Sequence, residues 1–288
     1  MRRVVLVAAG LLAIACGPKN PPPSAPTPVA PAPPPAAPPP APAQTLRLGP
    51  SALRYVMYQV IHIDQEFQGM RQPLDFGLRI YFAVTITGPA DSAGYPTTVT
   101  IDSITPDSGT TAPMGINLRA AKGLSFAGRL APTGEFGNQT ASDSVAAQAL
   151  SPIVGSFKNF FPRLPKPGLT LGAMWTDTTT TNDRAAGDVT VTNISRSYAA
   201  AWEDRNGTRA MRLEVASNFT IKGGGEQAGQ PFDVAGTGVR SGVDYIAVDG
   251  RYMGGASHDS TSMTITLPIQ AMTIPRTQVS RTTVTVLP

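Results

Sequence analysis

From Phe76 to Ile86 every second residue is apolar: Phe76, Leu78, Ile80, Phe82, Val84 and Ile86 alternate with Arg79, Tyr81, Ala83 and Thr85. Side chains of an extended strand point alternately to opposite faces, so this period of two places one apolar set on one face of a sheet. The same contrast recurs at Met211, Leu213, Val215, Phe219 and Ile221, set against Arg212, Glu214, Asn218 and Thr220. Earlier in the chain, Tyr55, Met57, Ile61, Ile63 and Phe67 form the apolar side of another strand. Runs at 97–104, 188–198, 239–248, 262–267 and 279–287 are rich in Thr and Val, which suit a pleated, half-exposed surface. Sheets with one buried face are the expected building material.

Turn chemistry divides these runs. Asn206-Gly207 and Asp249-Gly250 read as two-residue hairpins, because the central positions of a type I′ turn need positive φ. The Gly223-Gly224-Gly225 to Gly229 run reads as a loop, with no Lys-Ser/Thr after it to make a phosphate cradle. Helical spacing is confined to about Ser142–Phe161. There Asp143-Ser144 can cap a first piece, Ser151-Pro152 restarts the pattern, and Ile153, Val154, Phe157, Phe160 and Phe161 make one apolar stripe. Phe161-Pro162 ends it, since a residue before proline leaves the helical region. The order is four or five strands, a helical pair, then five or six strands. The expected fold is mainly β: a curved antiparallel sheet or half-barrel, with the short helical pair inserted mid-chain and lying on the concave face.

The amino-terminal 43 residues follow different physics. Arg2 and Arg3 precede an apolar run from Val4 to Ile14, about half of the roughly 20 residues that a membrane-spanning helix needs, so residues 1–15 read as an export signal peptide. The one cysteine of the chain, Cys16, follows Ala13-Ile14-Ala15 at the end of that run. This resembles the lipobox of bacterial lipoproteins, and the resemblance implies cleavage before Cys16, a diacylglycerol on its sulfur and acylation of its amine, palmitate-type chains included. Two or more acyl chains anchor stably where one is marginal. Gly17 stands where inner-membrane retention signals place Asp, so the resemblance implies the outer membrane. Residues 16–43 form a disordered, Pro/Ala-rich spacer: 14 of the 27 residues after Cys16 are proline, which removes donors and fixes φ. The globular, β-rich domain is assigned to residues 44–288.

A second resemblance lies within that domain. Phe161-Pro162-x-Leu164-Pro165-x-Pro167-Gly168, followed by Leu171-Gly172-Ala173-Met174-Trp175, is similar to a segment of bacterial envelope lipoproteins whose domain has no assigned function. Gly236-Thr237-Gly238 and the Tyr245…Asp249-Gly250 hairpin are similar to that group too. More distantly, the element order resembles the half-barrels of periplasmic lipid and lipoprotein carriers, which implies acyl chains held on a concave sheet under helices. The group supplies no catalytic residues to transfer.

The residues themselves offer little for catalysis. One cysteine and two histidines leave scant material for a metal site or a disulfide, and no cofactor motif is present. His62 and Asp64 lie two apart on one strand and can pair, but no Gly-x-Ser-x-Gly elbow accompanies them. His62, Asp64 and Glu66 fall on the wetter face; His258-Asp259 reads as part of a Gly/Ser turn. Trp175 is expected to pack under the Pro-rich loop, with a sugar-stacking platform as the alternative. The formal charge of +4, two units of it from Arg2 and Arg3, forms no basic stripe for nucleic acid. The expected function is therefore non-enzymatic: an outer-membrane-anchored lipoprotein, held to the membrane through Cys16, that binds an apolar or lipid ligand. Its candidate ligand face comprises Tyr55, Met57, Ile61 and Ile63 on one strand, Phe76, Leu78, Ile80 and Phe82 on the next, and Met211 and Leu213 later. The alternative is a structural or protein-interaction module of the envelope, without a small ligand, which predicts an exposed apolar patch or sheet edge.

Overall fold

The computed structural model of the protein describes residues 45–108, 110, 117–183, 187–227 and 229–288. The expected signal peptide (residues 1–15), Cys16 and the expected spacer (to residue 43) lie outside the described residues. Eleven strands form one antiparallel sheet: β1 (Ser51–Phe67), β2 (Met70–Ile86), β3 (Tyr95–Pro106), β4 (Ser125–Leu130), β5 (Phe136–Ala141), β6 (Met174–Asp183), β7 (Asp188–Arg205), β8 (Thr208–Gln227), β9 (Gln230–Ala247), β10 (Tyr252–Leu267) and β11 (Met272–Val286). Their spatial order is β5-β4-β3-β2-β1-β11-β10-β9-β8-β7-β6. The sheet is thus two meanders, β1–β5 and β6–β11, welded where β1 pairs antiparallel with β11. It is open and curved, within the expected curved antiparallel sheet or half-barrel.

Because β5 and β6 are consecutive in the chain but stand at opposite edges, the segment between them must travel across the sheet. That segment holds the helical pair, α1 (Ser144–Ala149) and α2 (Ser151–Val154), then a 3₁₀ stretch from Gly155 to Asn159. Asp143 caps α1 by accepting from the Val145 and Ala146 amides, as expected. Ser151 does not cap α2; it is already helical, and Leu150 takes the cap position without a side-chain bond. The stripe residues Ile153, Val154, Phe157, Phe160 and Phe161 are all buried. Phe160 packs edge-on against Tyr55 and Phe82, with centroids 5.2 and 5.1 Å apart, while Phe157 meets Phe82 at 4.9 Å. This aromatic layer is the centre of the core and fixes the crossing segment to the inner face.

Two local expectations are corrected. Asn206-Gly207 is a two-residue turn with both φ values positive, but at Asp249-Gly250 only Gly250 is left-handed and four residues separate β9 from β10. The run Gly223-Gly224-Gly225 is not a loop but the end of β8, paired with β7 and β9. A Cβ at Gly223 would stand 2.2 Å from the Asp188 carbonyl oxygen and one at Gly224 2.7 Å from the Phe232 oxygen, so these glycines permit close backbone approach. Gln68-Gly69, both at positive φ, makes the β1–β2 hairpin that the composition did not flag.

Candidate functional site

The strands place their inner-face residues in rows that run across the sheet. One row, fixed by register, is Phe76, Ile61, Ser280, Asp259, Arg240 and Ser217, continuing to Ser195 and Asp177. Ser195, Ser217 and Ser280 are buried in it, whereas outer-face neighbours such as Ile194 are exposed; the curvature shields this face. Against it the crossing segment sets Phe160, Phe161, Pro162 and Arg163, and the space between is a groove of about 390 Å³. Small side chains make the room: Gly242, Gly255, Ser197 and Ser257 line the floor.

The groove is amphipathic. Phe160, Phe161, Val215, Phe219, Met57 and Val284 supply apolar surface, while Asp177, Asp244, Asp259, Arg163 and Arg240 bring charge. Asp244 accepts from the Tyr252 hydroxyl at 2.8 Å, and the Tyr55 hydroxyl donates to the Tyr252 carbonyl at 2.8 Å. Burial raises the Asp244 carboxyl above its ordinary range, opposed by the Tyr252 hydrogen bond and the charge of Arg240. Burial likewise raises Asp259, although Arg240 lies 3.6 Å away. Burial lowers Arg163, which reaches Glu135 at 2.7 Å and is favoured by the charge of Asp177.

The raised Asp244 carboxyl has a consequence for stability. Its folded-state pKa exceeds the unfolded value, so the native protein retains a proton that the unfolded chain has released. Stability from this group is present below the ordinary carboxylate range, near pH 4, and is lost as pH rises through the raised pKa. Asp244→Asn keeps an oxygen for Tyr252 and removes the desolvated charge. The expected result is a melting temperature at pH 7 above that of the parent, and a weaker decline above about pH 4, bounded by about 1.4 kcal/mol per pH unit for one group. Melts followed by circular dichroism across pH 4–8 check it; equal pH dependence in both proteins contradicts it.

The ten residues of the expected ligand face divide unequally. Tyr55, Met57, Leu78, Ile80, Phe82, Met211 and Leu213 belong to the core that includes the crossing segment, and Ile63 is buried too. Ile61 and Phe76 are half-buried partners in the row described above. Only Met57 of the ten also lines the groove. The open part of the inner face lies instead over β6–β11, on Arg240, Asp244, Tyr252 and Asp259, which the sequence did not single out as a site. The available signal was charge alternating with glycine on β9, at Arg240, Gly242 and Asp244, but its neighbours come from strands with no local tie to it.

The expected His62–Asp64 pair does not form. His62 Nδ1 meets Asp75, directly opposite on β2, at 2.7 Å, while Asp64, opposite Pro73, is taken by the diagonal Arg71. His258 and Asp259 are not in a turn but within β10, on opposite faces. The two histidines are separate, His62 opposite Val279 and His258 opposite Arg281. Among the described residues no group of three or more His, Cys, Asp and Glu stands together. Trp175 packs as expected under the Pro-rich loop, its indole N–H donating to the Arg163 carbonyl at 3.1 Å. No helix among the described residues is long and apolar enough to cross a membrane. No protein-family model matches the chain, and no curated protein is recognisably similar to it in sequence.

Proposed function

We propose that the protein is a non-enzymatic, lipid-anchored component of the bacterial outer membrane that holds an amphiphilic lipid on the inner face of its sheet. The observation that carries this reading is the groove beneath Phe160–Arg163: half of the inner face is filled by the crossing segment, while the β6–β11 half keeps room between aromatic walls and a floor of small residues. An apolar body lies against Phe160, Phe161, Val215 and Phe219; polar groups of the same molecule meet the Asp244, Asp259 and Arg240 side chains. The lipobox at Cys16 and the proline-rich spacer support the placement, since they tether the domain while letting it stand off from the bilayer.

Residues 41–288 are one compact unit, so residues 44–288 are suited to the test. Native mass spectrometry of that fragment, purified from an expressing bacterium, is expected to show a lipid adduct near one-to-one. Widening the wall with Phe161→Ala changes its occupancy several-fold. A clean apo mass that takes up no lipid on incubation removes the reading. It would favour the second one, a protein-interaction module, for which the unpaired outer edge of β6, with Met174 four-fifths exposed at its start, is the specific observation.

A further inference from the structure

Arg276 sits on the inner face of β11, between Met263 of β10 and Gln65 of β1. Its row continues through Met263 to Gly236 and Ile221, and the rows to either side carry Ile274 with Ile265 and Ile63 with Leu74. This end of the inner face, beyond the groove, mixes these apolar side chains with Gln65 and Gln278. Three features set Arg276 apart from the other arginines there. Its guanidinium has no carboxylate within ion-pair distance among the described residues, whereas Arg240 has Asp259 and Arg163 has Glu135. One Nη2 bond, to Gln278 at 2.9 Å, is its side-chain partner. Its Nε is buried without any hydrogen-bond acceptor, the one buried side-chain nitrogen or oxygen in that state among the described residues.

A half-buried cation with an orphaned donor among isoleucines and a methionine is costly to the fold by itself, since burial without a partner penalises both the charge and the N–H. Burial in fact depresses its affinity for the proton, with no neighbouring acid to oppose the shift. Replacing the side chain by an apolar one would relieve that cost. A guanidinium presents parallel N–H groups that match a carboxylate or phosphate, and an anion placed against the Nε–Nη edge would satisfy the orphaned donor. The nearest inner-face acid, Asp259, lies four positions along β10 from Met263, nearer the groove than the guanidinium's own row. The surroundings that such an anion would meet are Met263, Ile274, Ile265 and Ile63 together with the amides of Gln65 and Gln278, a mixed lining that suits a headgroup attached to a hydrocarbon chain.

We infer that Arg276 is the headgroup anchor of the inner face and selects an anionic amphiphile, one whose carboxylate or phosphate docks on the guanidinium while its hydrocarbon chain lies on the sheet toward Phe219 and the groove. This inference rests on the proposed amphiphile-binding function and adds the sign of the headgroup and the residue that reads it. Hexadecanoate and hexadecanol share a chain and differ in charge. Each is titrated, below its aggregation limit, against a neutral anthracene-labelled alcohol bound to the full chain carrying Cys16→Ala, so that its own acylation does not compete. Hexadecanoate is expected to displace the probe roughly tenfold more tightly than hexadecanol. Arg276→Gln abolishes that ratio by weakening hexadecanoate alone, and Arg276→Lys, which keeps the charge if glutamine disturbs folding, retains most of it. Acetate leaves the probe in place. Equal affinity of the two C16 ligands, an unchanged ratio in Arg276→Gln, or displacement by acetate at hexadecanoate concentrations overturns the headgroup inference while the amphiphile reading stands on hexadecanol binding. Failure of both C16 ligands to displace, or of the probe to bind, overturns both.

Discussion

Phe160→Ala is expected to destabilise the sheet by about 3–5 kcal/mol, the cost of removing a large aromatic from a core that cannot collapse around the space. Phe160 contacts Tyr55, Phe82, Phe161 and Tyr252 with ring centroids 5.2, 5.1, 4.9 and 5.2 Å away. All four contacts are edge-to-face, each adding about 0.5–1.5 kcal/mol beyond the area buried. The residue also braces the seam between the two meanders from the inner face, since Tyr55 and Phe82 belong to the first and Tyr252 to the second. In a domain of this size each kcal/mol moves the midpoint by about 2–4 °C, so a fall of roughly 10 °C is expected in a thermal melt. The near-ultraviolet circular dichroism should weaken with it, because the ring cluster loses its fixed packing. A shift below about 2 °C would show that the crossing segment is held by other contacts.

Gly254→Ala is expected to cost about 3 kcal/mol, far more than one added methyl group suggests. The chain at Gly254 has φ of +87°, and a Cβ there would lie 2.2 Å from the Val284 carbonyl oxygen on β11. Both the left-handed conformation and the clash with backbone oppose a side chain, and neither can relax without shifting β10 against β11. The position is a bulge: pairing with β9 jumps from Tyr252 opposite Ile246 to Gly255 opposite Asp244. Straightening it would turn Tyr252 away from Tyr55 and Asp244, so both hydroxyl bonds would be lost with the stability. Gly137→Ala in β5 is the control. Nothing lies within 4 Å of a Cβ there, and its effect should stay within about 0.5 kcal/mol. Chemical denaturation of both variants checks the contrast; equal midpoints would mean that the bulge adapts to a side chain.

How much of this was legible in the sequence differs from element to element. The face shared by Phe76, Leu78, Ile80 and Phe82 follows from alternation, and all but Phe76 are fully buried. The apolar stripe at Ile153, Val154, Phe157, Phe160 and Phe161 followed from three-four spacing and is wholly in the core. His62 shows the limit. Two positions apart on a strand, His62 and Asp64 share a face, yet a residue directly opposite on the next strand is closer than one two positions along, so Asp75 takes the imidazole. Most of the expected ligand face lies in the core for a related reason. The most regular alternation marks where burial is most complete, and at Tyr55 and Phe82 that burial comes from the protein's own crossing segment.

By itself the sequence determined the class of structure: one-sided strands, a hairpin at Asn206-Gly207, and one helical stretch with four or five strands before it and five or six after, which the structure fixes at five and six. Each of these depends on backbone sterics and on the periodicity of near neighbours, which a local stretch carries whole. The tertiary structure decided the closure of β1 on β11, the passage of the crossing segment over the inner face, and the rows that bring Asp177, Ser217, Arg240 and Asp259 together from four strands. It also decided parity. Bulges beside Ala199 and Tyr252 turn Trp202 and Tyr252 to the face that strict alternation denies them. One inserted residue reverses every side chain beyond it, and whether it is inserted depends on hydrogen bonds to a neighbouring strand, so a pattern read along a single strand cannot contain it.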